Sequence, residues 1–210
     1  MIDAEVFYKA LSEGKVDEVK ELTQRALADG TPPENVLNEG LIKAMGQIGV
    51  RFKNGEIYIP EVLVAAYAMH AGMGVLKPIL AKATDRKATT VVLGTVKGDM
   101  HDIGKNLIGM MLEGGGFEVM DLGVDVPEAK FVQAAKESGA KVIAMSALLT
   151  TTMMQMKVTI EAIKAAGLKD MKVIVGGAPV TAEFAQRIGA DGYAPDAGTV
   201  VEEVKELLSA

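Results

Sequence analysis

The sequence predicts two folds in series. An all-helical N-terminal domain precedes an α/β domain built on a doubly wound, five-stranded parallel sheet. Three observations carry this. Over about the first 80 residues, apolar side chains recur at helical spacing. After Ala88 they gather into short β-branched runs, and between those runs the helical spacing returns. Continuous apolar strands alternating with amphipathic helices mean a parallel sheet covered on both faces.

The helical domain is expected over 1–81 as four helices. Val19, Leu22 and Ala26 share one face, as do Leu37, Leu41, Ala44 and Ile48, and then Val62, Ala66, Met69 and Met73. Pro32 and Pro33 suit a helix start, as does Pro60 before Glu61. Gly14, Gly30 and Gly55 fall where helices should stop. Gly49–Ile59 is expected as an irregular hinge before the last helix. The polar stretch 82–87, KATDRK, reads as a linker.

The α/β domain is expected over 88–210. Strands are predicted at Thr90–Val96, Phe117–Leu122, Val142–Leu148 and Val173–Val175, with a short fifth near Gly192–Ala194. Ile103, Leu107 and Met111 share a helical face, as do Met156, Ile160 and Ile163, and Val200, Val204 and Leu207. In the flavodoxin-like (Rossmann-like) order 2-1-3-4-5, the winding reverses between the first and third strands, and ligands bind outside the strand ends there. Two loops therefore matter most: Lys97–Lys105 and Ser146–Thr152.

Composition narrows the function. The chain has 210 residues and a formal net charge of −6, with no long basic run. Such a chain is a poor candidate for nonspecific nucleic-acid or anionic-membrane binding. The absence of cysteine excludes disulfides, thiolate zinc sites and cysteine-ligated iron–sulfur clusters. No signal peptide is recognised and no apolar run reaches about 18 residues, so a cytoplasmic protein without a membrane span is expected.

The first loop packs Asp99, His101 and Asp102 between Gly98 and Gly104. A dinucleotide fingerprint fails here, because its middle glycine is missing. A phosphate loop fails too, because five residues separate the glycines and Asn106 follows Lys105. Spacing does not exclude a flavin, although this loop lacks the Ser and Thr usual in a flavin phosphate loop. One histidine is too few for structural zinc. A metal that brings its own macrocycle needs only an axial ligand. Asp99 and His101 stand two apart, so in an extended loop their side chains share a side. The carboxylate then accepts one imidazole N–H and leaves the other nitrogen for metal. Gly98 lets the loop turn, and Gly104 lets a planar ring approach the backbone. The competing reading makes His101 a helix N-terminal residue with Asp99 as its cap.

D-x-H-x-x-G at Asp99, His101 and Gly104, S-x-L at Ser146 and Leu148, and the pair Gly176–Gly177 together resemble the three-part signature of cobalamin-binding domains. GDMHDIGKN is similar to the form found in methionine synthase. NGEIYIPEVLVAAYAM resembles the helical cap of methionine synthase and of the small corrinoid carriers of methyltransferase systems. The resemblance covers nearly the whole chain.

It implies cobalamin or a related corrinoid as cofactor, carried as methylcobalamin, with cobalt held from below by His101 after the cofactor's own base has left. Asp99 would be the partner of His101, and Thr152 the hydroxyl completing the relay, where methionine synthase has serine. Ser146 would bond the nucleotide tail, although it also suits a helix cap. Gly176 and Gly177 would make room for that tail, although they also suit a tight turn. Met100, Asp102, Ile103, Gly104, Leu148 and Thr150 would complete the cofactor contacts. Tyr58 matches an aromatic of the cap that lies over the methyl face, and it equally suits packing at the helix start. The implied function is a methyl carrier that is not catalytic alone. It would be served by a donor-specific methyltransferase, an acceptor methyltransferase acting on a pterin or thiol, and an external reductive activator. A cobalamin-dependent regulator is the alternative. It would need a basic output module, which this acidic chain lacks.

Overall fold

The helices end where local chemistry ends them. A computed structural model describes residues 2–83 and 88–209. Contacts divide the chain into two units, Met1–Ala88 with Glu113–Gly116, and Thr89–Leu112 with Phe117–Ala210.

In the first unit, α1 (Ala4–Ser12) starts at Asp3, whose carboxylate accepts the Glu5 N–H at 3.0 Å. Helix α2 (Val16–Ala28) buries Val19, Leu22 and Thr23. Thr23 replaces the expected Ala26 on the buried face, because its hydroxyl is satisfied by the Val19 carbonyl at 2.8 Å. Next come α3 (Pro33–Asn35), a π-helical turn (Val36–Ile42) and α4 (Lys43–Lys53), without interruption. The wide turn shifts the phase of the apolar face. Bonds to the fifth residue put Val36, not Leu37, in line with Leu41. The expected hinge from Gly49 is also corrected. Helix α4 continues to Lys53, because Gly49 lies on its buried face beside Ile48. Helix α5 (Ile59–Ala83) buries Val62, Ala65, Ala66, Ala68, Met69 and Leu76. Its stretch Ile59–Leu80 is long and apolar enough to cross a membrane by length and composition. The sequence expectation missed this because small and polar residues break its strongly apolar runs. Within this unit α5 packs on α1, α2 and α4, as the core helix of a bundle does. Of the expected linker, Lys82 and Ala83 belong to α5, and 84–87 lie outside the described residues.

The second unit holds β1 (Thr90–Thr95), α6 (Ile103–Gly114), β2 (Glu118–Asp121), α7 (Glu128–Ser138) and β3 (Val142–Ser146). It continues with α8 (Met154–Ala165), β4 (Lys172–Gly176), α9 (Ala182–Ile188), β5 (Gly192–Ala194) and α10 (Val200–Ser209). All pairings are parallel and the order is β2-β1-β3-β4-β5, as the sequence predicts. Strand alternation divides the core between two faces. Val92, Ile143, Met145, Val173 and Val175 pack with Phe131, Met156, Ile160 and Phe184 from α7, α8 and α9. On the other face Leu93 lies against α6 at Gly109, and Leu207 of α10 lies against Gly192. Burying Phe131 and Leu93 completely contributes roughly 1.5–3 kcal/mol for each side chain. The helices that follow β1 and β3 thus lie on opposite faces, so the two loops part above the strand ends.

Candidate functional site

That parting is bridged by one buried carboxylate. Asp99, in the loop after β1, is 0% exposed. Its Oδ1 accepts the His101 backbone N–H at 3.1 Å and His101 Nδ1 at 2.7 Å. Its Oδ2 accepts Thr152 Oγ1 at 2.6 Å and the backbone N–H groups of Leu148 at 2.8 Å and Leu149 at 3.3 Å, all from the loop after β3. Burial pushes the Asp99 carboxyl up. Hydrogen bonds from Thr152, His101 and the Leu148 N–H outweigh that and hold it well below the usual carboxylate range. An ionised carboxylate only accepts, so the proton of a neutral His101 sits on Nδ1. Nε2 is left with its lone pair and makes no hydrogen bond to a described residue. The imidazole is half exposed, with a side-chain accessibility of 49%.

The Asp99–His101 pairing is not the strand-like alternation the spacing implies. It is a turn in which the aspartate side chain accepts the N–H two residues on. The same oxygen takes the ring N–H, so the helix-capping and ligand-orienting alternatives merge in one geometry. Helix α6 begins later, at Ile103. Gly98, at φ 79°, makes the turn entering the loop.

The other predicted residues fall into groups. Met100, Ile103 and Leu148 are exposed at 68%, 72% and 45%, a group of large apolar side chains on or beside the two loops. Ile103 therefore leaves the buried face on which it was expected with Leu107 and Met111. At the first helical position it stands clear of the sheet. Leu149, which sequence reasoning did not single out, joins them at 41%. Gly104 is helical, and a Cβ there would meet nothing within 4 Å. Nothing in the chain itself demands glycine at that position. Asp102 is exposed and accepts from Asn106 Nδ2 at 3.3 Å. Ser146 closes β3, and its hydroxyl has no hydrogen-bond partner among the described residues. It does not cap α8, whose first turn has no side-chain cap. Thr150 is exposed on the same loop.

Gly176 and Gly177 are demanded by the chain's own backbone. A Cβ on Gly177, at φ 124°, would lie 1.9 Å from the Ala147 carbonyl oxygen, and one on Gly176 would lie 2.8 Å from that of Ala194. Tyr58 belongs to the helical unit. It is 68% exposed, so it does not pack the helix start, and its backbone N–H is capped by Glu61 Oε2 at 3.1 Å.

Three supports escaped the sequence reading. Thr95 Oγ1 donates to the His101 carbonyl at 2.8 Å and fixes the far end of the turn. Lys105, 2% exposed, pairs with Asp121 and bonds Asn106 Oδ1 at 2.6 Å. Asp125 is the only described non-glycine residue with positive φ, and it bonds the Gly98 N–H. Positive φ is several-fold commoner for Asp and Asn than for other non-glycine residues, so Gly123–Val126 did carry a turn signal. Among the described residues no cluster of three or more His, Asp or Glu could hold a metal ion. The donor set is a single imidazole nitrogen in a loop that also carries exposed apolar side chains and leads to an open glycine at Gly104. That set fits a metal supplied within a large planar ring.

Comparisons with known proteins agree. Two family models, each described as a B12 binding domain, match residues 89–204 and 4–77. The dimethylamine corrinoid protein 3 of Methanosarcina acetivorans is 44% identical over 195 residues, covering 92% of this chain and 91% of that protein. A crystal structure of a cobalamin-binding protein from Desulfitobacterium hafniense superposes with a TM-score of 0.81 at 34% identity, covering 99% of each chain. The methanol:cobalamin methyltransferase complex MtaBC from Methanosarcina barkeri gives a TM-score of 0.86 at 30% identity, covering 98% of this chain and 79% of that one. The B12 binding models match along both units, and the chain belongs to the B12-binding corrinoid proteins.

Proposed function

We propose that the chain is a methyl carrier. His101 Nε2 would hold the cobalt of a bound corrinoid in place of the cofactor's own base. The chain passes methyl groups from a donor-specific methyltransferase to a second methyltransferase acting on a pterin or thiol. The observation that supports this most is the 2.7 Å bond between His101 Nδ1 and Asp99, which leaves Nε2 as the outward nitrogen. When bound, the corrinoid supplies the nucleophilic cobalt chemistry, as cofactors generally supply the hard step.

The residues of the chain do the rest. Asp99 fixes the tautomer and raises the basicity of the ligating nitrogen. Thr152 and the Leu148 and Leu149 N–H groups keep Asp99 ionised. Met100, Ile103, Leu148 and Leu149 offer an apolar bed that excludes water, and Gly104 leaves room for a ring edge. In this reading the Ser146 hydroxyl, which has no hydrogen-bond partner among the described residues, bonds the nucleotide tail, and Asp102, Thr150, Gly176 and Gly177 line its approach. Tyr58 is assigned to the methyl face. The helical residues to Ala83 act as the cap and 88–210 as the corrinoid domain. The names of relatives at about 44% identity favour methylamines as the donor class. An external protein reductant restores the carrier after oxidation, because the chain has no cysteine for an iron–sulfur centre of its own.

The test is electron paramagnetic resonance of the cobalt(II) corrinoid form, with histidine labelled by ¹⁵N. An axial nitrogen that carries the label and disappears in His101→Ala supports the reading. An axial nitrogen indifferent to His101, or still that of the vitamin's own base, refutes it.

A further inference from the structure

The loop that carries Asp99 and His101 is gripped from a third strand end, and one residue does most of the gripping. After β2 the chain keeps pairing with β1 beyond the regular ladder. Leu122 N bonds the Leu93 carbonyl at 2.8 Å, Thr95 N bonds the Gly123 carbonyl at 3.0 Å, and Val126 N bonds the Thr95 carbonyl at 3.0 Å. Between Gly123 and Val126 the backbone must fold back toward the β1 loop. Asp125 makes that fold at φ 51°, a conformation that L-residues avoid. In return it meets the loop twice. Its carboxylate accepts the Gly98 N–H at 2.7 Å, and its own N–H donates to the Asp99 carbonyl at 2.9 Å. The two bonds clamp the residue before Asp99 and the backbone of Asp99 itself. A strained residue persists only where its surroundings hold it, and such residues cluster at functional sites.

Other features of the molecule offer less. The apolar groove between α7 and α8 and the groove between α1 and α4 contain nothing that says what covers them. The pair of buried Lys105 and exposed Asp121 acts one step further away, on the base of the same loop.

We infer that Asp125 is a positioning residue: by clamping Gly98 and Asp99 it sets the angle at which Asp99 takes the His101 Nδ1–H, and so keeps Nε2 free. This rests on His101 being the axial ligand. The clamp itself is defined without any corrinoid.

Three variants separate the two things Asp125 supplies. Asp125→Asn keeps an acceptor oxygen and tolerates positive φ. Asp125→Gly tolerates that φ but loses the acceptor. Asp125→Ala loses both. In protein without corrinoid, ¹⁵N shifts report the His101 tautomer and amide exchange reports the Gly98 N–H. The expected result is a wild-type tautomer in Asn. Gly and Ala should show a mixed tautomer, with Gly98 exchange faster by about tenfold, the fold-change set by one lost charge-assisted hydrogen bond. Far-ultraviolet circular dichroism like that of the wild type in Gly establishes that the change is local. A pure Nδ1–H tautomer with unchanged Gly98 exchange in both Gly and Ala overturns the inference, as does an Asn variant that behaves like Ala. The cobalt(II) spectrum of the wild-type protein tests the ligand assignment separately. Loss of its histidine signal would refute the proposed function and leave the tautomer result standing.

Discussion

Replacing Asp99 by Asn changes one atom and removes one charge, and the hydrogen bonds around the side chain determine the outcome. Five donors converge on the carboxylate. Three of them, the N–H groups of His101, Leu148 and Leu149, belong to the backbone and cannot turn away. The Thr152 hydroxyl can reverse, and the imidazole can move its proton. An Asn amide must point its NH₂ at one side or the other. Toward the β3 loop it faces two fixed donors. Toward His101 it faces one, provided the ring shifts its proton from Nδ1 to Nε2. The second placement costs less. It still leaves a backbone N–H unpaired, at about 1–3 kcal/mol, and it weakens the remaining bonds by removing their charge.

We expect Asp99→Asn to destabilise the protein by about 2–4 kcal/mol in urea unfolding followed by circular dichroism. It should also place the His101 proton on Nε2, visible in ¹⁵N shifts, and so block the proposed axial ligation without removing the histidine. A variant within about 0.5 kcal/mol of wild type, or one that keeps the Nδ1–H tautomer, refutes the reasoning.

Four more expectations come from the same geometry. The Asp99 carboxyl is held below its unfolded value, so its contribution is complete above that value and is lost as pH falls. The stability gap between wild type and Asp99→Asn, measured without corrinoid, should be flat near neutrality and shrink below about pH 4. Thr152→Val should cost about 1–3 kcal/mol in unfolding experiments by taking a donor from a buried carboxylate, whereas Thr152→Ser should recover most of that. Gly177→Ala drives a Cβ to 1.9 Å from the Ala147 carbonyl, and should lower stability by about 3 kcal/mol or prevent accumulation of folded protein. Gly104→Ala meets open space in a helix, so thermal unfolding should shift by no more than about 1 kcal/mol in either direction, while corrinoid titration should show weaker uptake.

What could be read in the sequence depended on how far each signal reached. Strand positions and their order were legible because β-branched runs fully buried on both faces, such as Val91–Leu93, have few other fates. The pairing of Asp99 with His101 was legible from their separation of two residues, although the geometry is a turn and not the extended loop that the spacing implied. Errors appeared where a local period was overridden. The π turn moved Val36 into the place predicted for Leu37, and a buried Gly49 continued a helix where glycine usually ends one. Ile103 reads as core by spacing and stands exposed, because at the first position of α6 it lies clear of the sheet. Gly123–Val126 carried a turn signal, but the contacts of Thr95 and Asp125 were hidden for another reason. Their partners are backbone atoms of a loop, and backbone leaves no mark in a sequence.

The place of Asp99 is set by topology. β1 and β3 are neighbours in the sheet, yet the chain leaves them toward helices on opposite faces. Backbone pairing therefore stops soon after the Val96 N–H meets the Ser146 carbonyl at 3.0 Å. Beyond that point two loops diverge, and the Leu148 and Leu149 N–H groups are left aimed into the gap. Water would satisfy them, but it would not hold one loop against the other. A neutral amide would satisfy one set of donors and offend the other. An ionised carboxylate is acceptor on both sides, so it alone among side chains can join two rows of donors. The same property fixes the histidine tautomer. At the reversal of winding, the device that closes the gap in the fold is also the device that leaves Nε2 outward, so loop packing and the histidine tautomer are not separable by mutation at Asp99. They become separable only from outside the pair, at positions such as Asp125 and Thr152.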